Sequence, residues 1–150
     1  EVARTFYDTA LIAKPESAEA LSAIAIIDIL VGKNNEAASY AKAASQAAPG
    51  YAPGQFVKAM VDSVMESDLK SRAEAIRKNA PGGNLTADDR KRIQQMNAES
   101  NSYGKSSVEA MNLAMKLDKT NLSGRKIPTS QEAFSYFVRH NRLPLLVLPK

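Results

Sequence analysis

Apolar residues recur along this chain at intervals of three and four, the period of a helix with one buried face, and the pattern stops where proline or glycine appears. Ala3, Tyr7, Ala10 and Leu11 predict a first helix over about residues 1–13, closed by Pro15. Ser17 stands as N-cap to a second, in which Leu21, Ile24, Ala25, Ile27 and Asp28 share helical spacing until Gly32 supplies a left-handed stop. Asn34 caps a third helix running to Ala47. A fourth begins at Tyr51-Ala52-Pro53, proline being tolerated in a first turn, and carries Phe56, Ala59, Met60 and Val64 as its stripe.

The second half is more polar. Leu69, Ala73 and Ile76 predict a separate helix over about Asp68 to Asn79, ended by Pro81-Gly82-Gly83. Thr86 with Asp89 three residues on has the form of a capping box, opening a polar helix to about Ser102 with Ile93 and Met96 as its few anchors. Gly104 is expected to break it, and Val108, Met111, Ala114, Met115 and Leu117 define one more amphipathic helix. Residues 120–128 read as a loop, Thr129 and Glu132 as a second capping box, and the chain to His140 as a capping helix. The tail RLPLLVLPK reads as extended chain, because Pro144 and Pro149 rule out helix.

A longer period overlies the short one. Ala3, Ala10, Ala13, Pro15 and Ala18 recur 34 residues later as Ala37, Ala44, Ala47, Pro49 and Ala52, and the same step takes Ala25 to Ala59 and Asp28 to Asp62. A fixed period of this length marks a stacked-repeat protein. Residues 18–51 resemble a tetratricopeptide repeat, with Leu21 where that family's Trp is usual, Ile24 at its Leu, Ala25 at the small residue between paired helices, and Ala37, Ala44 and Pro49 on the second helix and its exit. Asp28 and Ala41 depart from the pattern, replacing an aromatic and Phe, while Tyr7 occupies the second aromatic position one unit earlier. The resemblance implies an all-α superhelix of antiparallel helix pairs: a partial repeat over 1–17, repeats over 18–51 and 52–83, a degenerate repeat over 84–121, and a capping helix with its apolar tail over 129–150.

Family geometry also implies a function: a protein or peptide partner held in the inner groove. Ser22, Ile26, Ile29 and Leu30 from one helix, Phe56, Met60, Ser63 and Val64 from the next, and Tyr51 at the junction would line that groove. It lacks the Lys/Asn pairs with which some members clamp a terminal carboxylate. The bland alternative is that such residues are simply core between repeats. The favoured reading is therefore a non-enzymatic scaffold or adaptor. A second is a structural subunit of a larger multiprotein assembly, such as a bacterial envelope or secretion complex.

Composition sharpens the picture at a few points. At 150 residues with 44% hydrophobic content, the chain can bury one continuous core. Residues 1–66 carry 5 Lys/Arg against 8 Asp/Glu, a balance of −3, whereas residues 67–150 carry 15 against 8, a balance of +7. The basic positions Arg90, Arg92, Arg125, Lys126, Arg139 and Arg142 raise a third possibility, nucleic acid or an anionic membrane surface. Aromatic residues do not interleave with them, which places nucleic acid behind a protein partner. No run of about 18 apolar residues exists to span a bilayer.

Chemistry is not where the sequence points. Without cysteine there is no thiolate ligand or nucleophile, and the single histidine, His140, stands at a predicted helix C-terminus, where its charge suits the helix dipole. Asp88 and Asp89 fall in a first helical turn, which acidic residues stabilise, and Pro81-Gly82-Gly83-Asn84 lacks the lysine-threonine signature of a phosphate loop. Neither catalytic residues nor a metal or cofactor site are expected. A start at Glu1 without an initiator Met or signal pattern, together with the lack of cysteine, leans toward a processed, exported protein or a fragment, with periplasm and cytoplasm both open.

Overall fold

The computed structural model describes residues 2–117, and within them every element is helical: α1 (Val2–Ala13), α2 (Ala18–Leu30), α3 (Asn34–Ala47), α4 (Ala52–Lys78), a 3-10 turn (Pro81–Gly83) and α5 (Ala87–Leu117). No strand occurs among the described residues. The loop over 120–128, the second capping box, the capping helix and the LPLLVLP tail fall outside them.

The helix ends follow local chemistry. Ser17 caps α2, its hydroxyl accepting from the Ala20 amide at 3.3 Å. At the other end Gly32 takes φ +78°, which lets Gly32 N–H reach the Ile29 carbonyl at 3.2 Å and Lys33 N–H reach the Asp28 carbonyl at 2.8 Å. That pair of bonds closes α2 and turns the chain straight into α3. Lys33 rather than Asn34 is the flanking residue of α3, since its carbonyl already accepts from the Ala37 amide at 3.0 Å. The Thr86 capping box forms as expected: Asp89 N–H donates to Thr86 Oγ at 3.1 Å, and Thr86 N–H to the Asp89 carboxylate at 3.3 Å.

The turn Lys14–Ser17 and the turn Ala48–Tyr51 are built alike. Ser17 N–H donates to the Lys14 carbonyl at 3.1 Å, as Tyr51 N–H does to that of Ala48 at 3.0 Å. Lys14 reaches back to Ala10 at 2.9 Å and Ala48 to Ala44 at 3.2 Å; Leu21 bonds Ser17 at 2.9 Å and Gln55 bonds Tyr51 at 3.2 Å. All three bonds recur at the 34-residue step.

Packing centres on α3, which lies against both α2 and α4, while α1 packs on α2 and α5 on α4. Ala37, Ala41 and Ala44 of α3 are fully buried, and small side chains in that stripe let helices approach to roughly 8–10 Å. Around them Ala25, Ile29, Phe56, Val57, Met60 and Val61 form the core, joined from α5 by Ala110, Met111 and Ala114.

Two expected helix breaks do not occur. α4 runs without interruption through Val64 to Asp68, because Met65, Leu69 and Ala73 carry its buried stripe onward at intervals of four and no glycine or proline intervenes. α5 likewise continues through Gly104. Residues 52–117 thus form one long antiparallel hairpin instead of the four shorter helices expected.

Its seam explains why. On α5, Ile93, Ser100, Ser107 and Ala114 are buried at steps of seven, the spacing of a coiled-coil contact line. Ser107 Oγ donates to the Ala59 carbonyl at 2.7 Å, and Ser100 Oγ to that of Glu66 at 3.2 Å, so a step of seven on one helix matches a step of seven on the other. A hydroxyl reaching the backbone of a facing helix requires close helices, and a Cβ on Gly104 would already stand 2.8 Å from the Glu66 carboxylate. Gly104 is therefore a clearance residue within the helix.

Because the Glu66 carboxylate is the mobile end of a side chain, Gly104→Ala displaces it at small cost while gaining up to about 1 kcal/mol of helix propensity. Thermal unfolding should show an unchanged or higher midpoint; a fall of several degrees would mean that Glu66 has nowhere to go. A second expectation concerns pH. Hydrogen bonds from the Thr86 hydroxyl, then its amide, hold the Asp89 carboxyl below the usual range. A lowered folded-state value stabilises above the ordinary Asp range near pH 4 and is lost as pH falls through the lowered value. Thr86→Val should melt earlier than the parent at neutral pH, and the gap should narrow on acidification to about pH 2. A gap constant with pH contradicts this account.

Candidate binding surfaces

The most polar interior position of the hairpin is Asp62, whose side chain is 5% exposed on α4. One turn earlier Lys58 pairs with it, and from α5 Ser106 donates its hydroxyl to Asp62 Oδ2 at 2.7 Å. Lys58 Nζ also donates to Ser106 Oγ. Ammonium, carboxylate and hydroxyl satisfy one another, so the cluster ties α4 to α5. Next to it Tyr103 has its pKa raised, first by burial and then by the negative charge of Asp62 and Glu99.

This cluster floors a cleft of about 650 Å³ between α3, α4 and α5. Asn35, Ser39, Lys42, Ser45 and Gln46 form one wall, with Ser102 and Tyr103 opposite. Buried Gln55 of α4 braces Ser45 of that wall, accepting from Ser45 Oγ at 2.9 Å and donating to the Pro49 carbonyl at 3.1 Å. The cleft offers hydroxyls, amides and the exposed Lys42, groups suited to polar backbone or side chains of another molecule.

The groove residues expected from the family geometry divide. Phe56, Met60, Ile29 and Ser22 are buried, Phe56 and Met60 at 2% and 0% exposure, and Ile29, Phe56 and Met60 belong to the core under α3. Ile29, Phe56 and Met60 are thus core in one cluster with Ala37 and Ala41, and Ser22 is buried with its hydroxyl oxygen unpartnered. Ile26, Tyr51, Ser63 and Val64 are half-buried, and Leu30 is exposed beside Val31 at the end of α2. Tyr51 has its pKa raised by burial and by Glu19. Of the basic positions, Arg90 and Arg92 are exposed near the start of α5, and Arg125, Lys126, Arg139 and Arg142 lie outside the described residues.

A second buried carboxylate, Asp28, occupies the place on α2 that Asp62 holds on α4, 34 residues away. Arg4 of α1 pairs with Asp28 and lies over the Tyr40 ring at 5.3 Å from its centre, joining α1, α2 and α3. The periodicity flagged both aspartates, but their partners come from other helices and could not be read from spacing, apart from Lys58 at i−4 to Asp62.

Among the described residues no group of three or more His, Cys, Asp or Glu could hold a metal ion, and no helix is long and apolar enough to cross a membrane. In comparisons with protein-family models, curated proteins and solved structures, no match to this chain was found.

Removing the central carboxylate with Asp62→Ala should cost about 1.5–3 kcal/mol in denaturant unfolding, since Lys58 and Ser106 lose a charged partner together. In a double-mutant cycle, Ser106→Ala should cost clearly less in the Asp62→Ala background than in the parent. Additive losses would mean that the three groups do not act as a unit.

Proposed function

We propose that this chain is a non-enzymatic interaction scaffold of the tetratricopeptide-like kind, a stack of helix pairs that holds a segment of a partner protein. The observation that carries this reading is the recurrence, at the 34-residue step, of the same three-bond turn between helices, with an alanine-striped helix enclosed between its neighbours. Stacked units of this sort present extended surfaces made by several helices, and protein segments are their usual occupants. With Phe56 and Met60 in the core, the recognition surface falls to the accessible remainder: Leu30 and Val31 at the end of α2, with Ile26, Tyr51, Ser63 and Val64. The reading of a structural subunit in a larger assembly draws on a different observation, the exposed apolar side chains of α1, Val2, Phe6 and Ile12 being 87%, 68% and 84% exposed.

A photo-reactive side chain placed at Leu30, at Ser39 in the polar cleft and at Lys91 as an outward control tests the scaffold reading in cells of the source organism. A discrete cross-linked protein is expected at Leu30, weaker or none at Ser39, and none at Lys91. Phe56→Ala should instead unfold the chain, costing about 3–5 kcal/mol as a core truncation. Cross-linking at all three positions alike, or at none, would sink the proposal.

A further inference from the structure

α1 and α3 are counterparts at the 34-residue step, and each lies on the helix that follows it, α1 on α2 and α3 on α4. They are held in different ways. α3 sets three fully buried alanines, Ala37, Ala41 and Ala44, into the interior. No residue of α1 is buried; Arg4, Tyr7, Ala10 and Leu11, at intervals of three and four, are half-buried, and α2 is its main neighbour. What α1 adds is charge. Its Arg4 pairs with Asp28 of α2, a residue only 1% exposed, and lies over the Tyr40 ring of α3.

That guanidinium is divided among three residues. Nη1 donates to Asp28 Oδ1, Nε to Asp8 Oδ1 at 3.3 Å, and Nη2 stands 3.5 Å from the Tyr40 hydroxyl. Asp28 Oδ2 is buried without a hydrogen-bond partner. A guanidinium given wholly to one carboxylate makes two parallel bonds and meets both oxygens. Asp8, four residues after Arg4 on the same helix, holds Nε away from that arrangement. The matching carboxylate of the next unit, Asp62, depends on no such helix: Lys58 and Ser106 meet it from α4 and α5, without α3. α1 is therefore a lightly buried cover on a buried acceptor that it only half uses.

We infer that the face beneath α1, centred on Asp28 with Tyr40 beside it, is a docking site for an arginine-bearing α-helix of a partner protein, and that α1 is its exchangeable occupant within the chain. The partner helix carries an arginine, an aromatic residue three positions on and a leucine seven on, as Arg4, Tyr7 and Leu11 do, with no acidic residue four after the arginine. Its undivided guanidinium meets both Asp28 oxygens and keeps its place over the Tyr40 ring. This gives the scaffold reading above a partner chemistry, and rests on that reading.

The probe is a fluorescein-labelled peptide of residues 2–13 with Asp8→Asn and two lysines added at its C-terminus, titrated with the full chain and read by anisotropy. The resident α1 competes at the high effective concentration of a linked segment, so Arg4→Ala in the chain, which loosens it, should raise peptide affinity by about ten-fold or more. The same substitution in the peptide should abolish binding, and Arg4→Lys there, which keeps the charge but loses the fork, should weaken it by about as much. Asp8→Asn in the chain, an exposed position of similar helix propensity, frees the resident guanidinium for Asp28 and should slow hydrogen exchange of the α1 amides. No binding of millimolar peptide to the Arg4→Ala chain, equal affinity of the Arg4→Ala and parent chains, or binding that survives Arg4→Ala in the peptide overturns the proposal. So does unchanged or faster α1 exchange in Asp8→Asn, a result that stands even if Arg4→Ala fails to fold. A parent chain that dimerises with concentration, and does so less once Arg4 is replaced, overturns it by giving the site to α1 of a second copy. Cross-linking at Leu30 is read independently, so its persistence alongside a negative peptide result would reject this site and leave the scaffold reading standing.

Discussion

The close approach of helices across the alanine stripe of α3 is the constraint on which the rest depends. Ala37, Ala41 and Ala44 have no exposed surface, so α3 lies down on α2 and α4, which also touch each other, at a distance that any larger side chain would prevent. From that spacing follows the fate of Phe56 and Met60. With backbones this near, their side chains fill the space beneath α3 and cannot line an open groove. The same spacing brings Arg4 of α1 within reach of both Asp28 and Tyr40.

Charge is buried in this fold in a regular way. Asp28 and Asp62 stand 34 residues apart on apolar helix faces, and each has a cation placed on it, Arg4 in one case and Lys58 in the other. A carboxylate is costly to enclose unless paired and hydrogen-bonded. The partners differ in origin, one from the preceding helix and one from the same helix with help from Ser106 across the hairpin. The two positions are thus alike in placing a carboxylate inside and unlike in how it is met: Asp62 Oδ2 is held by both Lys58 and Ser106, whereas Asp28 Oδ2 is buried without a hydrogen-bond partner.

How much of this was legible in the sequence depended on the range of the interaction concerned. The all-helical class, the Ser17 cap, the Gly32 stop and the Thr86 capping box are set by residues within a turn of one another, and the structure has each of them. The first two helix pairs also follow from local periodicity. The misread stretches are those in which tertiary contact outweighs a local signal. Gly104 costs helix propensity, but α4 passes so close that a glycine is tolerated there and the helix continues. Between Val64 and Asp68 no breaker was present, and the expected boundary came from extending the 34-residue period past the point where the chain keeps it. On the binding surfaces, spacing named the apolar residues correctly but could not say which side of each helix another helix would cover. Of the expected groove residues, Leu30 is exposed and Ile26, Tyr51, Ser63 and Val64 are half-buried.

The hairpin of α4 and α5 has a mechanical side. Its two serine-to-carbonyl bonds sit seven residues apart on each strand of the pair, roughly 10 Å along the axis. Sliding one helix past the other breaks both grips at once and finds no equivalent hold until a full heptad has gone by. Small displacements are therefore resisted as a block, and the hairpin behaves as a notched strut that passes push and pull from its turn at Pro81–Gly83 to the core at its far end.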